Sequence, residues 1–186
     1  MSSFGPLDAR LLVVGLAPGL KGANRTGRPF TGDYAGDLLY ATLLKVGLAH
    51  GDYRGGRDDG TWQGDRLALV DARVTNAVRC VPPQNKPDPA EIRACRPFLA
   101  AEIAAMPRLR IVLALGKIAH DAVLASQGLK ASARTFAHGA NHDLPDGRTL
   151  ADSYHCSRYN TNTGRLTPAM FEAVVESVVQ RLARTD

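Results

Sequence analysis

The chain is poor in cysteine and has no long apolar run. Its 186 residues hold three cysteines, Cys80, Cys95 and Cys156, and no Cys-x-x-Cys pair. An odd count of this kind argues against a disulfide framework. No stretch of about 18 apolar residues occurs, which leaves no candidate membrane-spanning helix. The opening Met-Ser-Ser-Phe-Gly-Pro lacks the basic region and apolar stretch of a signal peptide, so a cytoplasmic location is expected. Neither G-x-x-x-x-G-K-[ST] nor G-x-G-x-x-G is present. Their absence counts against a nucleotide-binding α/β enzyme acting on free small molecules, although it does not eliminate one.

What remains is a single domain, spanning 1–186, with 45% hydrophobic residues and so enough apolar material for a core. The formal charge of +5 favours an anionic partner such as nucleic acid, because Lys and Arg displace counterions from phosphates. Many basic proteins bind nothing anionic, and charge alone leaves both readings open.

Apolar patterning predicts four strands: 10–15, 68–76, 111–115 and 150–154. Helical spacing is read over 38–46, over 117–126 and after Thr167-Pro168. Asp88-Pro89-Ala90-Glu91 reads as a capped helix start, running to about Met106 with a kink at Pro97. Residues 50–66 read as an exposed loop. Alternating strands and helices imply a three-layer α/β/α sandwich around a mainly parallel four-stranded sheet. In such sheets ligands sit beyond the carboxyl ends of the strands. The polar segments 16–36, 77–87 and 155–166 follow strands directly and are therefore expected to meet at one cleft.

Each segment has a functional and a plainer reading. The first is glycine-rich, which allows close backbone approach to a ligand, yet a flexible surface loop has the same composition. The second, together with the strand end before it, carries Asn76 and Asn85, which can bond a base edge or simply form turns. The third begins with His155, suited to charge stabilisation or to a structural hydrogen bond, and continues with Ser157, Arg158, Asn160, Thr163 and Arg165, which are typical phosphate donors.

Taken together, Gly-Leu-Ala-Pro-Gly with Gly-Ala-Asn-Arg-Thr-Gly-Arg-Pro-Phe-Thr-Gly-Asp, then Val-Arg-Cys-Val-Pro-Pro-Gln-Asn-Lys-Pro, then Asn-Thr-Asn-Thr-Gly-Arg-Leu-Thr resemble family 5 of the uracil-DNA glycosylases. The resemblance runs from about Phe4 to the last helix. It implies excision of uracil, and of other deaminated bases such as hypoxanthine, from DNA by a monomer. It implies Asp33 as the water-orienting carboxylate, with apolar Leu16 and Ala17 where other branches place a catalytic group. Phe30 is matched to the aromatic that stacks on the flipped base, and Asn76 to the uracil-reading amide. Asn85 is matched to a polar residue linked to catalysis, and His155 to the group that stabilises the departing base. Arg25 joins the residues of the third segment as a phosphate clamp. A uracil-DNA-binding protein with little turnover is the nearest alternative.

The sequence departs from that pattern twice. His155-Cys156-Ser157 replaces the usual His-Pro-Ser. The resemblance also implies a [4Fe-4S] cluster, not needed for the chemistry, for which Cys80 and Cys95 supply two of four ligands. The other pair normally precedes the first strand, and this chain begins only a few residues before it. The chain is then either shortened or without the cluster, and its cysteines could equally be small core residues.

Overall fold

The computed structural model describes residues 1–55 and 64–184. In order the elements are β1 (Leu11–Gly15), α1 (Ala23–Thr26), α2 (Tyr34–Lys45), β2 (Ala49–His50), β3 (Ala68–Leu69), β4 (Ala72–Asn76), α3 (Pro89–Ala104), β5 (Ile111–Leu115), α4 (Lys117–Ser126), β6 (Asn141–Asp143), β7 (Thr149–Ser153), α5 (Arg158–Asn162) and α6 (Pro168–Ala183). Two short 3-10 turns cover Pro83–Asn85 and Ala131–Ala133.

The main sheet has the order β4-β1-β5-β7-β6, with every pair parallel except β6–β7. Period-two alternation divides β1 between two cores. Leu11 and Val13 pack with Leu39, Leu43 and Val175 on one face, while Leu12 and Val14 pack with Leu99, Ile103 and Val123 on the other. The three-layer α/β/α sandwich expected from the patterning is thus present, built on a parallel sheet buried on both sides.

The structure corrects several details. The sheet has five strands, because β6 adds an antiparallel edge. Its Asn-His-Asp sequence carries no apolar alternation, so nothing in the pattern marks it. The run 68–76 is two strands. Asp71 adopts φ 54° and breaks it, and its carboxylate takes the backbone and side-chain N–H of Arg10. The segment 16–36 contains the one-turn α1 and the first residues of α2. Helix α3 does start with the Asp88–Glu91 capping box and continues through Pro97. The expected loop at 50–66 contains β2's last residue, and its 56–63 portion lies outside the described residues. Among the described residues no helix is long and apolar enough to cross a membrane.

Candidate active site

The carboxyl ends of β1, β5 and β7 open onto one cleft of about 1020 Å³. Its walls include Leu16 and Ala17 after β1, Asn85 from the 77–87 segment, and His155, Ser157, Arg158, Asn160 and Arg165 after β7, with Asp33 from the start of α2. Residues separated by more than 120 positions therefore share one surface, as the strand-end rule expects.

Asp33 sits in extended backbone as the N-cap of α2, where its Oδ1 accepts the Gly36 N–H at 3.1 Å. Burial raises its pKa above the ordinary aspartate value. The Gly36 and Ala35 amides and the charge of Arg158 oppose that shift without cancelling it. Capping holds one oxygen, and the other lies 3.3 Å from where a side chain on Gly22 would begin. A fixed carboxylate of raised basicity is suited to accept a proton from water.

His155 leaves the end of β7, and burial lowers its pKa to about 4. It is neutral at physiological pH, with one ring nitrogen donating and the other accepting. Its ring makes no hydrogen bond to any described residue. The turn that aims it is held from below. Asn160 Nδ2 donates to the His155 carbonyl at 2.8 Å, and Ser157 caps α5 by accepting from Asn160 N. Cys156 is fully buried, with Sγ 3.4 Å from the Ala35 carbonyl. Burial raises its thiol pKa, the Asp33 charge adds to that, and the sulfur stays neutral. The departure from Pro thus fills core space beneath α2.

Phe30 and Asn76, both expected to touch the base, are buried behind the cleft, and neither is among the residues that line it. Phe30 is 6% exposed, belongs to the core that includes Leu39 and Tyr40, and stacks on His155 with ring centroids 6.0 Å apart. Its backbone has φ 56°, held by Tyr40, whose hydroxyl donates to the Pro29 carbonyl at 2.6 Å. Arg28, beside it, pairs through both terminal nitrogens with Asp65. Asn76 ends β4 opposite Gly15, and its buried amide makes no hydrogen bond to a described residue.

Other expected site residues are placed differently. Arg25 is exposed, turns its Nε back to the Lys21 carbonyl, and is not in the cleft wall. Thr163 is also outside it, its hydroxyl returned to the Tyr159 carbonyl. Asn85, with φ 56°, presents an exposed amide at the rim.

Several wall residues escaped the sequence reading: Tyr34, Lys117, Ile118, Phe136 and Tyr154. The strand-end rule would have found the Gly116–Ile118 stretch, which follows β5 directly. Phe136 lies in a segment with no periodicity to mark it.

Cys80 is exposed and Cys95 partly buried. The Arg79 N–H donates to Cys95 Sγ at 3.4 Å, which brings the two cysteines into one neighbourhood. Four thiolates hold a [4Fe-4S] cluster. Cys156 lies by Ala35 instead, and among the described residues no further Cys, His, Asp or Glu completes a ligand group at Cys80 and Cys95. The residues present do not fit that cluster.

A family profile described as the uracil DNA glycosylase superfamily matches residues 2–179. The chain is 49% identical over 181 residues to a protein named type-5 uracil-DNA glycosylase from Thermus thermophilus, covering 97% of this chain and 78% of that one. A type-5 uracil-DNA glycosylase from Mycobacterium leprae is 43% identical over 173 residues, covering 92% and 73% respectively. A type-4 uracil-DNA glycosylase from Thermotoga maritima is 32% identical over 154 residues, covering 82% and 67%.

Proposed function

The chain belongs to the uracil DNA glycosylase superfamily, and from that premise we propose that it removes uracil from DNA by hydrolysing the bond between base and deoxyribose. The observation that carries this reading is the pairing, in one cleft, of a neutral His155 with a capped Asp33 whose pKa is raised.

The target base must leave the helical stack before the cleft can hold it. Arg158 and Arg165 at the mouth attract the phosphates, and Asn76, behind the wall at the end of β4, offers its amide to the polar edge of the base. As the glycosidic bond breaks, its electron pair goes to the base nitrogen. The neutral imidazole of His155 donates a hydrogen bond to the anion so formed, an interaction stronger in the transition state than before it. A water oxygen bonds to the sugar carbon and its proton passes to Asp33, whose negative charge also opposes the positive charge developing on the sugar. The base leaves and takes up a proton from solvent. Hypoxanthine, which also presents a carbonyl and a ring N–H, falls within the same scheme.

The test is a single-uracil oligonucleotide, single- and double-stranded, with a hypoxanthine strand in parallel. Alkali-labile cleavage at the uracil is expected. A folded protein that yields none from either uracil substrate would be a binding protein, and the enzymatic reading would fail.

A further inference from the structure

Strand β7 reads Thr149-Leu150-Ala151-Asp152-Ser153, with a charged residue in the middle of a buried strand. Asp152 is wholly inaccessible. A carboxylate so placed persists only when donors satisfy it. Three do. His120 Nδ1 from α4 lies 2.7 Å from Oδ1, His142 Nε2 from β6 lies 3.0 Å from Oδ2, and the Ala137 N–H donates to Oδ2 at 3.3 Å.

His120 extends the cluster. Its Nε2 lies 3.1 Å from the Arg134 carbonyl. Both its nitrogens face acceptors, an arrangement that favours the doubly protonated ring. Burial works against that charge, but the hydrogen bond and charge of Asp152 outweigh it, and the pKa stands above the ordinary histidine value. Asp121 adds to this electrostatically from the same helix.

The consequence lies in what these bonds fasten. The stretch 134–142 is regular only at β6, yet it is tied at Arg134, Ala137 and His142 to the Asp152 carboxylate and the His120 ring. From it Phe136 reaches the cleft wall, with its ring 5.7 Å from His120 and 6.1 Å from Tyr154. Tyr154, two residues after Asp152, donates its N–H to His138 Nδ1 and stacks on that ring. His155 is held separately, by the Asn160 side chain that donates to its carbonyl.

We infer that Asp152, His120 and His142 are positioning residues, a buried clamp that sets the Phe136–Tyr154 wall on which the substrate packs. The identity of that substrate rests on the glycosylase reading; the clamp itself does not.

The test is a double-mutant cycle under single-turnover conditions, with Asp152→Asn and His142→Ala each combined with Phe136→Ala. Asp152→Asn should raise the half-saturating enzyme concentration about tenfold, the lower end of the range for losing one stacking ring, with the maximal rate within about threefold. Phe136→Ala should do the same, and the double variant should rise no further. Multiplicative effects, or a loss confined to the maximal rate, would overturn the inference. His142 is at the edge of the cluster, so its variant should fold if Asp152→Asn does not, with a smaller effect in the same direction. Independently of DNA, amide exchange at Ala137 and Tyr154 should quicken in the His142 variant, and unchanged exchange also overturns the clamp. A Zn²⁺-dependent rise in wild-type melting temperature, lost in His142→Ala, would make the cluster a cation site and overturn it too. If wild type cuts no uracil strand while exchange responds as expected, the glycosylase reading fails and the clamp stands.

Discussion

Phe30 lies across Gly15 so closely that a β-carbon at position 15 would stand 2.3 Å from Phe30 Cζ. The same atom would stand 2.5 Å from Asn76 Oδ1. Glycine at the end of β1 therefore lets an aromatic from the first loop and an amide from β4 meet behind the cleft. On the other side Gly36 allows α2 to begin directly against the Phe30 carbonyl, 1.7 Å from where its own β-carbon would be.

Gly15→Ala should displace Phe30, Asn76 or both. We expect uracil excision to fall about ten- to a hundredfold, the range for losing one base-stacking contact, and stability to fall by about 1–3 kcal/mol from overpacking. Thermal melts and single-turnover rates separate the two. Unchanged excision would show that Phe30 and Asn76, behind the cleft wall, do not touch the base. Phe30→Ala should show the same activity loss with a larger stability cost, because its ring belongs to the core.

The pH profile tests the division of labour between Asp33 and His155. His155, held near 4, should show no ionisation around the ordinary histidine value of 6.5. Excision should therefore stay level from about pH 8 to below 6. The acid limb should belong to Asp33 and lie above the ordinary aspartate value. Stability moves with His155 in a defined direction. The unfolded chain binds its proton more tightly, so stability falls as pH drops from about 6.5 towards about 4. Asp33, raised in the fold, works oppositely and is relieved by acid. His155→Ala should cut excision by about two to three orders of magnitude, the scale for one preorganised donor, and should flatten the loss of stability on acidification. An activity limb near 6.5, or a variant within a few-fold of wild type, would remove neutral His155 from the chemistry.

The sheet was legible because β1 and β5 are short apolar runs closed by glycine, with Leu150-Ala151 marking β7 more weakly, and parallel strands buried on both faces read that way. The cleft followed from the strand-end rule. What stayed hidden has local causes. β6 has no apolar period, and Asp71 breaks a run that looks continuous. Asp152 and His120 are polar residues within apolar elements, 32 positions apart, and only the fold shows that they satisfy each other. Phe30 could be named from its resemblance, but its near-complete burial and left-handed backbone depend on Tyr40 and on the Arg28–Asp65 pair. Those contacts have no signature along the chain.

Arg158 and Arg165 are the cleft's cationic mouth, each set over a ring: Arg158 5.9 Å from the Tyr34 centroid and Arg165 4.6 Å from that of Tyr154. Stacking orders the guanidinium while leaving its N–H edge for a phosphate. Replacing either by Ala should weaken duplex binding and reduce the slope of log affinity against log salt by about one. Arg25→Ala should change the slope less, since that side chain lies outside the cleft wall. Equal slopes for all three variants and wild type, measured by fluorescence anisotropy, would show that the cleft mouth is not where phosphates bind.

The last expectation concerns iron. Cys80 and Cys95 share a neighbourhood through the Arg79 amide, but they supply two thiolates, and a [4Fe-4S] cluster takes four. Cys156 is sealed under α2, with burial holding its sulfur as a neutral thiol, and it offers no third ligand. A cluster on Cys80 and Cys95 alone would leave two irons open to solvent and be lost in air. These 186 residues, purified aerobically, should therefore be colourless and free of iron. Cys80, being exposed, should react readily with a thiol reagent, Cys95 more slowly and Cys156 only on unfolding. Replacing Cys80 and Cys95 by Ser should leave excision unchanged, because neither lines the cleft. A brown preparation with about four irons per chain would show that groups beyond these two cysteines complete the site.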